Sequence, residues 1–107
     1  MRQSTVLAVA ALSVCLSGCL TTETSLAPNI VRLDTDAPFS SDAASHTMLR
    51  AAQLTLQNGY AYFRLIPIYW TNSGFSHVGV TVAMFHSGEV GAYGAFDAWA
   101  VLAGRGP

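Results

Sequence analysis

Hydrophobic positions change rhythm several times along this chain. From Thr5 to Gly18 the run is almost unbroken and apolar, with one charge, Arg2, ahead of it. At ~1.5 Å per residue it makes a helix of roughly 21 Å, short of the ~30 Å of hydrocarbon that a spanning helix crosses. Leu20 to Asn29 is rich in Ser and Thr and has no apolar period, which reads as a tether. Ile30-Val31-Arg32-Leu33-Asp34 predicts a short strand, and Asp34 to Asp42, with Pro38, predicts turns. A helix is expected from Ser41 or Ser45, either of which can cap free N–H groups, to Asn58-Gly59. That pair ends helices because Gly tolerates the left-handed conformation. On the helix Met48, Leu49, Ala52, Thr55 and Leu56 share one stripe, and His46, Arg50, Gln53 and Gln57 share another.

Period-two alternation then takes over. Tyr60 to Trp70 and Phe75 to Ser87 are rich in aromatic and β-branched residues and predict two strands. Thr71-Asn72-Ser73-Gly74 joins them in an antiparallel hairpin. Pro67 donates no hydrogen bond and marks an edge or a bulge. Phe96 to Ala103 predicts a closing helix of about two turns. Together these elements give an α+β fold: one amphipathic helix packed on a short antiparallel sheet, plus a short C-terminal helix.

The apolar N-terminal run has the three-part layout of a secretory signal peptide: a charged start, an apolar middle and small residues before the cut. It closes on Leu16-Ser17-Gly18-Cys19, which resembles the lipobox of bacterial lipoproteins. Ser17 and Gly18 leave the backbone open to a peptidase, and a thiolate is the side chain that attacks a lipid donor readily. The resemblance implies cleavage before Cys19, a diacylglyceryl group on its sulfur and a further acyl chain on the new amino terminus. Two or more chains anchor stably where one is marginal, at ~0.8 kcal/mol per buried methylene. In such lipoproteins an aspartate after the cysteine retains the protein in the inner membrane. Leu20 stands there instead, which favours the periplasmic face of the outer membrane. The expected organisation is a signal peptide at 1–18, a lipidated cysteine and flexible tether at 19–29, and a small α+β periplasmic domain at 30–107.

A second resemblance lies further on. Leu49-Arg50-Ala51-Ala52-Gln53-Leu54-Thr55-Leu56, then Asn58-Gly59-Tyr60 and Tyr62-Phe63, is similar to the central signature of a family of small Gram-negative lipoproteins. In that family a Leu-Arg-Ala-Ala-Glu-Leu-Thr helix runs into a Gly-aromatic-x-Tyr-Phe strand. Gln53 replaces the usual acid, and the region before the helix is shorter here. The resemblance implies location and fold and carries over no catalytic residue.

Composition narrows the chemistry. Without residues 1–18, four arginines face six acids, a net charge of −2, and the chain has no lysine. Nothing suggests nucleic acid, whose binders cluster positive charge. Cys15 leaves with the signal and Cys19 is lipidated, so no disulfide is expected. No cofactor is expected beyond the covalent lipid on Cys19. Asp34, Asp36 and Asp42 lack the spacing and glycine of a calcium loop. His46, His77 and His86 lack zinc-ligand spacing, with His77 and His86 on opposite faces of one predicted strand. No Ser/His/Asp set is readable, Glu89 and Asp97 have no evident acid role, and Gly88, Gly91 and Gly94 do not form a phosphate loop. An enzyme is therefore not expected.

The aromatic hairpin is the more suggestive feature. Tyr60, Tyr62, Arg64 and Trp70 share one face as a possible partner surface if Pro67 does not flip the register. Alternatively the closing segment, with Phe96 and Trp99, covers that face. Strand Val78 to Met84 offers an edge for a homodimer or an envelope protein partner. The expected function is a membrane-anchored, non-catalytic accessory or interaction module. The alternative is an envelope protein that binds a small ligand or metal in the helix–sheet cleft.

Overall fold

The computed structural model describes residues 20–37, 40–73 and 75–104; Leu16, Ser17, Gly18 and Cys19 lie outside the described residues. The elements are β1 (Leu20–Ala27), β2 (Ile30–Ala37), α1 (Ser40–Gln57), β3 (Tyr62–Ser73), β4 (Phe75–Phe85), a short 3-10 turn (Val90–Ala92), β5 (Phe96–Asp97) and α2 (Ala98–Leu102). The five strands form one antiparallel sheet in the order β1-β2-β4-β3-β5, and α1 and α2 complete an α+β domain.

β4 lies at the centre, hydrogen-bonded on both sides. Its Val78, Val80, Val82 and Met84 are buried under α1 with Val31 and Leu33 of β2 and Phe63 of β3. This corrects the pairing edge expected at Val78 to Met84: those residues have neighbours on both sides, so no second copy can add there.

The tether expected at residues 19–29 is also corrected. Leu20–Ala27 is a full edge strand, registered on β2 from Leu20 opposite Asp36 to Ala27 opposite Ile30. Its helix-side positions are polar because they meet polar partners. Thr21 Oγ1 lies 3.5 Å from Thr35 Oγ1, and Glu23 forms an ion pair with Arg50 of α1. An edge strand held by such contacts shows no apolar period. The Thr-rich composition still suits a pleated backbone.

α1 buries Ala43, Thr47, Ala51, Ala52, Leu54 and Thr55, while Leu49 is 43% exposed. The buried stripe is thus rotated from the expected one, because small residues let the helix lie close to the sheet. Thr47 Oγ1 sits 2.7 Å from the Ala43 carbonyl and 2.9 Å from Thr35 Oγ1. The carbonyl can only accept, and a hydroxyl has one proton. The Thr47 proton therefore goes to Ala43, and the Thr35 hydroxyl supplies the proton between the two threonines.

The helix ends as its sequence predicts. Gly59 has φ +84°, with Gly59 N–H donating to Leu56 O and Tyr60 N–H to Thr55 O. That is a Schellman closure. The closing helix is shorter than expected. Asp97 caps it by accepting from Trp99 N–H at 3.0 Å and Ala100 N–H at 3.3 Å. Among the described residues no helix is long and apolar enough to cross a membrane.

Candidate functional site

One face of the sheet is covered by the helices; the other carries the polar chemistry. The register places Arg32, Asp34 and Asp36 of β2 beside Thr81, Gly79 and His77 of β4 on that open face. Asp34 is the hub. Its carboxylate accepts from Arg32 Nε at 3.1 Å and Nη2 at 3.2 Å, and from the Tyr69 hydroxyl at 2.8 Å. Tyr69 reaches it by lying across β4. A Cβ on Gly79 would fall 2.2 Å from the Tyr69 ring, so Gly79 is the gap through which the ring passes.

The bond to Asp34, burial and the Asp34 charge together hold the Tyr69 phenol above its usual range. The Arg32 guanidinium partly opposes this. An unfolded tyrosine titrates at about 10. The Tyr69 contact therefore contributes its stability fully below about pH 10 and loses it as pH rises through the higher folded value. In a spectroscopic tyrosinate titration, a component titrating above about pH 10 should vanish in Tyr69→Phe. Its persistence in the variant would mean that Asp34 does not hold the phenol.

Next in the sheet is a row in which His77 Nδ1 pairs with an Asp36 carboxylate oxygen, with Thr71 opposite His77 on the other side. A carboxylate orienting an imidazole beside a hydroxyl is an arrangement used in nucleophilic catalysis. Here both partners of the contact are about 40% exposed on an open sheet face. The row is therefore open to water. Among the described residues there is no group of three or more His, Cys, Asp or Glu that could hold a metal.

The expected partner surface is divided by a bulge. Pro67 pairs with Val80, but Tyr69 pairs with Gly79, so Ile68 is the extra residue. Before the bulge the even-numbered residues Tyr62, Arg64 and Ile66 lie on the open face; after it Tyr69 does. Trp70, opposite Val78, is thereby moved to the helix side, where it stays 56% exposed. The structure therefore does not bring Tyr60, Tyr62, Arg64 and Trp70 together.

Tyr60 is half-buried against the core and stacks on His86 at 4.4 Å between ring centres. Arg64 is tied to the loop after β4, donating from Nε to Gly91 O at 2.8 Å and from Nη2 to Tyr93 O. That loop also presses Gly91 against the Phe85 ring, where a Cβ would lie at 2.2 Å. A shallow, open depression of about 320 Å³, lined by Tyr62, Glu89 and Tyr93 among others, lies at this end.

Phe96 pairs with Phe63 on the core side at 5.4 Å between ring centres, so the closing segment does not cover the open face. The loop at 86–95 covers its far end instead. The seam between α1 and the sheet, where the alternative reading put a ligand cleft, is filled by Phe63, Val80, Val82 and Met84 against the alanines and threonines of the helix. Comparison with protein-family models, curated proteins and solved structures gave no match.

Proposed function

We propose that this chain is a bacterial envelope lipoprotein, anchored through acyl chains on Cys19 at the periplasmic face of the outer membrane. Its domain acts there as a non-catalytic interaction module. The observation that carries the reading is Leu16-Ser17-Gly18-Cys19 at the end of a short apolar run, with Leu20 rather than an acid following. The shortness of the run argues for removal rather than permanent spanning. The resemblance of Leu49 to Phe63 to the small Gram-negative lipoproteins supports the same address. A role by placement rather than catalysis is supported by the open Asp36–His77 row and by the filled seam beneath α1.

Growth with an alkyne fatty acid tests the anchor. The wild-type chain should take up the label in the membrane fraction, and Cys19→Ser should take up none. Equal labelling of the two forms would place the lipid elsewhere and contradict the assignment of Cys19.

A further inference from the structure

We propose that β1 pairs with β1 of a second copy of this chain, joining the two sheets into one continuous antiparallel sheet about a two-fold axis at Thr22. The inference names the partner of the interaction module proposed above and rests on that reading for the membrane that gathers the copies.

Backbone direction shows which groups the outer strand offers. Met84 of β4 donates its N–H at 2.9 Å to the carbonyl of Asn29, the residue before β2. Ile30 lies opposite Ala83, so Asn29 and Met84 face each other. Hydrogen-bonded and non-hydrogen-bonded pairs alternate along antiparallel strands. The odd-numbered residues of β2 therefore turn their N–H and C=O to β4, and the even-numbered ones turn theirs to β1. Asp36, Asp34 and Arg32 lie opposite Leu20, Thr22 and Thr24. Those three β1 residues spend their backbone groups on β2, while Thr21, Glu23 and Ser25 turn theirs outward. Among the described residues no strand lies beyond them.

The other edge of the sheet is guarded. On β3 the same alternation turns Phe63, Leu65 and Pro67 outward. β5 takes up Phe63, Pro67 has no N–H to offer, and the bulge at Ile68 ends the register. β1 has none of these devices along residues 20–25. It holds no proline and no lysine, and its own irregularity comes only at Leu26. Its one charge, Glu23, is held by Arg50 on the helix side.

The residues of the strand select a second copy as the occupant. A two-fold axis normal to the sheet keeps both α1 helices on one side and runs the two β1 strands antiparallel. Centred on Thr22, it sets Thr22 opposite Thr22, Thr21 opposite Glu23 and Leu20 opposite Thr24. Glu23 then meets an uncharged residue in each copy. Centred on Glu23, it would set like charges opposite each other, which is destabilising. The first register also bonds Thr21 to Glu23, whose backbone groups both point outward. Thr22 meets its counterpart as a non-hydrogen-bonded pair, with Cα atoms about 4.5 Å apart. The strand is thus complementary to itself, and its β-branched threonines suit a pleated seam. One strand pair is a small interface, and anchorage in one leaflet raises its effective concentration.

The test is cysteine cross-linking of the full chain in its own membranes. Cysteines with Cα atoms about 4.4–6.8 Å apart can form a disulfide, so Thr22→Cys should give a covalent dimer on mild oxidation. Thr22 is exposed, and its replacement leaves the core intact. Ile66→Cys, on the open face of β3 and 53% exposed, reports random collision and should stay monomeric. Adding Thr21→Pro removes an outward N–H and no backbone bond within the monomer. It should cut the Thr22→Cys dimer roughly tenfold or more. Equal cross-linking at positions 22 and 66, or no effect of the proline, would overturn the pairing. A fatty-acid-labelled Thr22→Cys chain that stays monomeric would also overturn it and leave the anchor intact. Peptide mapping tells which cysteine is bridged. A bridge at Cys19, or a chain without label, would overturn the lipoprotein reading, whereas the bridge at position 22 decides the pairing.

Discussion

Phe63→Ala is expected to lower the unfolding free energy by about 3–5 kcal/mol, as truncations of fully buried aromatics do. Phe63 is wholly buried, sits in β3 opposite Met84 of the central strand and meets Phe96 on its other side. It therefore joins three strands, and its ring contact with Phe96 ties the two-residue β5 to the sheet. The cavity left by truncation has rigid walls on the β4 side and cannot collapse easily. A small domain has about 5–15 kcal/mol to lose, and each 1 kcal/mol shifts the midpoint by about 4–8 °C at this size. Thermal unfolding should show a fall of at least ~12 °C. A fall of only a few degrees would mean that β5 and α2 are not packed against this ring.

Leu33→Ala is the second large effect, about 2–5 kcal/mol. Leu33 is wholly buried because it has Val80 on one side and Glu23 of β1 on the other. Its cost separates a docked first strand from a tether. If residues 20–27 were mobile, β2 would be the edge of the sheet and Leu33 would be only partly shielded. Its truncation would then cost less than ~1.5 kcal/mol, below what full burial of a leucine side chain provides. Urea unfolding of the two forms measures the difference through the midpoint at unchanged slope.

The features legible in the sequence were those that apolar period and backbone stereochemistry determine. The Asn58-Gly59 stop, the alternation Val78-Val80-Val82-Met84 and the β3–β4 hairpin all follow from one-dimensional rules, because each residue's environment is set by its own element. β1 was not legible, since its partners lie on β2 and α1 and are polar: Thr35 for Thr21, Arg50 for Glu23. Thr47 is missing from the expected stripe for a related reason, whereas Thr55 is on it and is buried. A threonine whose hydroxyl returns to the carbonyl four residues back can be buried without an outside partner, as both do at 2.7 Å.

On the open face, Pro67 announced a bulge, but not which later residue would turn over. That depended on Gly79 in the next strand leaving room for the Tyr69 ring. A glycine inside a run of valines was the available signal. The Asp34 hub was hidden because Tyr69 is far from Asp34 in the chain and meets it only through register, whereas Arg32 is its neighbour on the same face of β2.

Cys19 stands apart from all of this, since its reading depends on local sequence alone. The intact mass of the protein extracted from membranes tests it most directly. The expected mass is that of residues 19–107 plus the acyl groups, with the added mass carried entirely on the N-terminal fragment after proteolysis. A mature chain that begins with an unmodified Cys19, recovered from the soluble envelope fraction, would contradict the anchor and everything built on it.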